Sequence, residues 1–184
     1  MFKCTDKLHV AYCSVQGTAC TTLRKMKAAS LIELKKELIE LPPKQLADLC
    51  IALAKYKKDN KEFLGYLLFE SHDRPSFVTE IKTEIDTHFS ELKGQYNLYY
   101  VKKSLRKLLR IITKYCKYLG DKALAAELHI YFCLKLKESG IAFHKSQLLI
   151  NMYEQQLKKI NTLISGLHED IQSDYASDLE KISV

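Results

Sequence analysis

The sequence predicts an all-α protein, and three observations carry that prediction. Apolar residues recur at three- and four-residue spacing through most of the 184 residues. No stretch alternates apolar and polar residues for long enough to make a strand. The six glycines and three prolines fall mainly where a periodic run stops. A chain of this length can bury one substantial core and is short for two. The expected architecture is a single domain of about seven or eight antiparallel helices, either an irregular bundle or a short stack of helical hairpins.

Residues 1–25 differ from the rest: they hold Cys4, Cys13 and Cys20, show no helical period and lack the apolar run of a signal peptide. The expectation is a poorly ordered N-terminal extension, with Met26 as the natural start and 26–184 as the folded domain. Ser30 and Glu33 have the spacing of a capping box ahead of Leu34 and Leu38. The first helix, about 31–40, must stop before Pro42, because a residue preceding proline avoids the helical region. Pro43 then suits the first turn of a second helix to about Lys57, with Leu46, Leu49, Cys50 and Leu53 on one face. A third helix is expected over about 61–70, offering Phe63, Leu64, Leu67 and Leu68 for burial. A fourth, begun by Pro75, runs to about Leu92 with Val78, Ile81, Ile85 and Phe89 at helical spacing.

Residues 97–119 form the most distinctive helix. On a wheel of about 100° per residue, Lys102, Lys103, Arg106, Lys107, Arg110, Lys114 and Lys117 share an arc of about 140°. Val101, Leu105, Leu108, Ile112, Tyr115, Cys116 and Leu119 take the opposite side. The whole chain has 29 basic and 22 acidic residues, net +7. This acid-free helix alone carries that excess, so the positive charge is local. Asn97 is the expected N-cap and Gly120 the residue just past the end. The next helix, from Asp121 to about Ser139, is apolar on nearly every side, as befits a helix surrounded by others.

From Leu149 to Ile182 apolar residues recur at a mean of about 3.7 positions, nearer an eleven-residue repeat than a heptad. One long helix over 145–182, or a pair joined near Ser165 and Gly166, satisfies that pattern. Its seam serves either as a strap across the other helices or, if left half covered, as a face for self-association or a protein partner.

Chemistry-bearing motifs are lacking. There is no phosphate-binding loop, no glycine-rich dinucleotide fingerprint and no Gly-x-Ser-x-Gly elbow. Glu84 with His88, and His129 with Cys133, stand one helical turn apart, but each pair would need a further ligand from elsewhere to hold a metal. They read as a surface pair and as polar groups beside a gap in the core. No catalytic residue, metal or cofactor is therefore expected. Six cysteines without metal or redox spacing read as reduced thiols, which places the protein in a reducing, cytoplasmic compartment. No run reaches the roughly 20 apolar residues of a membrane span.

The string Ser30-Leu-Ile-Glu-Leu-Lys-Lys-Glu-Leu-Ile-Glu-Leu-Pro42, with Leu46-Ala-Asp-Leu49 and Asn60-Lys-Glu-Phe-Leu-Gly-Tyr-Leu-Leu68, resembles an uncharacterised family of small bacterial helical proteins, over about residues 26–92. The resemblance implies a bacterial, cytoplasmic, all-helical protein and no particular activity. The Leu-Pro turn is also similar to those of HEAT-type hairpins, without their fixed period of about 40 residues.

Two functions fit these readings. The first is a non-catalytic binding or scaffold module acting through helix faces. The second is non-specific binding of an RNA or DNA backbone by Lys102, Lys103, Arg106, Lys107, Arg110, Lys114 and Lys117, with Tyr99 among them to stack a base. The competing reading of the basic face is a solvated surface neutralised by the acidic stretch 168–184, which carries a net charge of −4.

Overall fold

A computed structural model describes residues 28–95 and 97–183; the extension expected at 1–25 and the start at Met26 lie outside the described residues. Helix succeeds helix, with no strand among the described residues. The described residues divide into two units, the first ending at Leu46 and the second beginning at Ala47.

In the first unit, α1 (Leu31–Glu40) begins with the expected capping box. The Ser30 hydroxyl accepts from the Glu33 amide at 3.3 Å, and the Glu33 carboxylate accepts from the Ser30 amide at 2.7 Å. Those bonds hold the Glu33 carboxyl below its ordinary pKa. Pro42 breaks the chain, and α2 (Pro43–Tyr56) starts on Pro43 and continues into the second unit. The apolar positions expected to form a buried face here stay in contact with solvent. Leu31 is 85% exposed, and Leu46, Leu49 and Leu53 are likewise exposed. Periodicity identified these helices correctly but cannot say whether a partner surface exists for their apolar side.

The second unit holds the core. After α2 come α3 (Lys58–Gly65), a π-helical turn (Tyr66–Glu70), α4 (Arg74–Leu92), α5 (Leu98–Leu119) and α6 (Lys122–Glu138). A short 3₁₀ turn leads to α7 (Gln147–Ile164), α8 (Glu169–Asp174) and α9 (Ala176–Ile182). The third helix thus starts earlier than the expected 61–70 and closes on a wide turn, in which the Ser71 amide reaches the Tyr66 carbonyl five residues back, at 2.9 Å. The wider turn directs Tyr66 inward against Phe77, with ring centroids 4.8 Å apart. Phe63, Leu67 and Leu68, expected to be available for burial, are exposed.

Helix α6 is the centre of the core, packed by α4, α5, α7 and α9. Ala126, Leu128, Phe132, Cys133 and Leu136 on it are wholly buried. Helix α5 lies against it as the other half of a tight hairpin. Asn97 caps its start, Gly120 ends it at φ +64°, and the Asp121 carboxylate accepts from the Ala123 amide to open α6. Along the α4–α6 seam, Asp86 takes the Tyr131 hydroxyl at 2.7 Å and the Lys135 ammonium at 3.2 Å.

The C-terminal pattern resolves into three helices in place of one or two. Helix α7 stops at Ile164, and at Gly166 in the turn beyond it an added Cβ would stand 3.0 Å from the Lys122 ammonium. Tyr175 separates α8 from α9 while its hydroxyl bonds the Ala123 carbonyl at 3.1 Å. Leu149, Tyr153, Ile160 and Ile182 of the seam are buried inside the unit. These four side chains pack inside the unit as a strap's would, while Ile171 of the same seam is 40% exposed.

Ile112 is fully buried on α5 and Leu34 on α1 is 46% exposed. Ile112→Ala should cost about 2–5 kcal/mol of stability, Leu34→Ala under about 1 kcal/mol. Urea denaturation followed by circular dichroism checks both.

Candidate nucleic-acid interface

The amphipathic split of α5 sets the site. Val101, Leu105, Leu108, Ile112 and Leu119 are buried against the core. The helix cannot rotate without wetting them, so the opposite arc must face outward. Lys103, Arg106, Lys107, Arg110 and Lys117 are exposed, and Lys102 and Lys114 are half-buried. Tyr99, 73% exposed, stands at the head of the same arc, with Tyr100 exposed beside it. The sequence-derived residues therefore share one ridge.

Among the described residues, the acidic C-terminal stretch makes no ion pair with this ridge. Its anchors lie on α6 and α7: Lys137 donates to the carbonyls of Lys181 and Ser183, and the Tyr153 hydroxyl donates to the Ile182 carbonyl at 2.6 Å. The ion pairs its carboxylates make, Asp178 with Lys181 and Asp170 with His168, are internal to the stretch. Charge alone suggested that the tail would seek the basic helix. Burial of Ile182 and bonding to main-chain carbonyls place it elsewhere.

Of the seven cations only Lys114 is in an ion pair among the described residues, donating to Glu62 at 2.7 Å. Near it the ridge is concave. A depression of about 550 Å³ is lined by Arg110, Thr113, Lys114, Lys117, Tyr118 and Asp59, among others. Asp59 lies 3.9 Å from Lys57, and the Tyr118 hydroxyl donates to the Asp59 carbonyl at 3.3 Å. One cation was missed by the sequence reasoning: Lys159 of α7, whose ammonium lies 3.5 Å from the Thr113 hydroxyl. Burial, and after it the charge of Lys117, hold Lys159 below the usual lysine pKa, against an opposing effect of Cys116. No periodicity on one helix could assign a residue from another to this face.

The titratable pairs singled out in the sequence separate. His88 turns to Glu91, at 3.8 Å, while Glu84 lies beside Tyr115. His129 meets Cys116 of α5, its Nε2 4.0 Å from the sulfur, and its Nδ1 is buried without a partner. Burial pushes the Cys116 thiol up to about 11 and the Cys133 thiol to about 12, so both are neutral thiols at neutral pH. Among the described residues no group of three His, Cys, Asp or Glu side chains could hold a metal ion, and no helix is long and apolar enough to cross a membrane. Comparison with family models, curated proteins and solved structures finds no match to this chain.

Burial holds His129 neutral, with a pKa near 4 against the usual 6.5. Between those values the unfolded chain binds the extra proton, so stability should fall as pH drops from 6.5 towards 4, by roughly 3 kcal/mol from this group. Urea denaturation at pH 7 and at pH 4.5 checks it. His129→Leu should flatten the dependence over that window.

Proposed function

We propose that the protein is a non-catalytic module that binds the phosphate backbone of nucleic acid through the outward arc of α5. The observation that carries this reading is the tail's position on α6. It leaves Lys102, Lys103, Arg106, Lys107, Arg110 and Lys117 without an ion-pair partner among the described residues. Successive rows of the arc are about 5 Å apart along the axis, one helical turn. Such a row supplies affinity and no base readout, because contacts to phosphates fix position without reporting sequence. Tyr99 and Tyr100, exposed at the start of the ridge, offer ring faces to unpaired bases, which favours single strands over duplex.

Binding of a fluorescent oligonucleotide as a function of salt tests the proposal. Engagement of about six phosphates gives a slope of log K against log salt of about −4 to −5. Arg106→Glu combined with Lys107→Glu and Arg110→Glu should abolish binding, and an unchanged isotherm would exclude the face. Tyr99→Ala should weaken single-stranded binding by about 1–3 kcal/mol while leaving duplex binding in place.

A second reading, a scaffold working through helix faces, is supported by the first helix. Leu31, Ile32 and Ile39 of α1 are all more than half exposed, an unusual density for a ten-residue helix that meets only water. Self-association of the chain through this segment would appear in light scattering as a mass above the monomer. Ile32→Glu with Ile39→Glu should then restore the monomer.

A further inference from the structure

On the other side of Lys114 from the basic depression lies a second open pocket, of about 430 Å³, with the opposite chemistry. Half of its lining is aromatic: Tyr66 and Phe69 from the π-helical turn, Phe77 from α4, and Tyr115 and Tyr118 from α5, with Tyr66 and Phe77 buried behind the ring surface that Phe69, Tyr115 and Tyr118 present. The rings brace one another. Phe77 meets Tyr115 edge-on at 5.6 Å, and Tyr66 stacks on Tyr118 at 5.9 Å. Phe69 is 71% exposed and forms the lip. Three carboxylates, Glu62, Glu70 and Glu80, border the same space against the single cation Lys114.

We infer that this pocket is a binding site for a small organic cation, an alkylammonium or quaternary ammonium ion held by ring faces and carboxylates.

The pocket already holds such a group in part. The Lys114 ammonium lies 5.1 Å from the centre of the Tyr115 ring and 2.7 Å from the Glu62 carboxylate. A ring face and a carboxylate converging on one ammonium is the geometry that attracts an onium ion, through the quadrupole of the ring and the full charge of the acid. Glu70 and Glu80 are exposed at the border and make no ion pair among the described residues. They have charge to offer a second cation. An anion would meet three carboxylates, and a neutral apolar ligand would have to strip water from them, so both are disfavoured. The wall that carries Tyr66, Phe69 and Glu70 is a π-helical turn, a feature that recurs at functional sites because it re-aims side chains at the cost of regular bonding. The volume lies within the range of small-molecule sites.

The test uses choline as the probe and 3,3-dimethylbutan-1-ol, its uncharged isostere, as the control. Choline should bind saturably, its methyl protons shifted upfield by the rings, and at least tenfold more tightly than the alcohol. Glu70→Gln with Glu80→Gln, both at exposed positions that leave the aromatic packing intact, should weaken choline binding by at least fivefold. Lys114→Gln removes the resident ammonium and should tighten choline binding, and a variant that binds choline no more tightly would count against the assignment. Equal binding of choline and the alcohol, absence of saturable binding, or indifference to the two glutamine substitutions would each overturn the assignment. The two glutamine substitutions leave the oligonucleotide titrations untouched, because Glu70 and Glu80 lie outside the basic arc; Lys114 belongs to that arc, so its variant is read against choline alone.

Discussion

Burial of one flank of α5 against α6 constrains most of what this molecule presents to its surroundings. Five apolar side chains on α5 are removed from water, and each contributes on the order of 1.5–3 kcal/mol relative to exposure. Against that, repulsion among well-solvated surface cations is a weak force, a kcal/mol or less per pair and screened by salt. The helix therefore keeps its orientation and tolerates a crowded positive arc. The charge is a passenger on a hydrophobic arrangement, free to be used because the fold does not need it.

The same ranking of forces explains the tail. Its carboxylates have the charge to partner the lysines of α5, yet what fixes it is a buried isoleucine and bonds from Lys137, Tyr153 and Tyr175 that involve main-chain carbonyls. The carbonyls of Lys181, Ile182 and Ser183 are the orphans that a helix leaves at its C-terminal end. Helices as brief as α8 and α9 have little stability of their own. They are ordered by what their ends and their apolar sides find on α6 and α7.

Local signals were legible in the sequence wherever a residue type answers a backbone need. Ser30 with Glu33, Pro43, Asn97 and Gly120 each mark a helix terminus, and each does so because a free amide, a missing donor or a positive φ admits few residue types. The split of α5 was equally legible, since one helix carries both halves of the pattern. What the chain did not disclose depends on distant partners. Leu46 and Leu53 share the period of Leu105 and Ile112, yet the first two are wet and the second two dry. Lys159 joins the basic face from another helix, and the aromatic pocket assembles from three elements separated by some fifty residues.

The π-helical turn carries one residue more than regular winding would need between Tyr66 and Ser71. Excising that surplus residue would let α3 run on as an unbroken spiral. It would also swing the residues before the cut by about 100° about the axis relative to those beyond it. Phe63 and Tyr66 could then no longer both reach Tyr118, which they now meet at 5.1 and 5.9 Å. A change in chain length of a single position would thus dismantle a five-ring assembly without altering any of its rings.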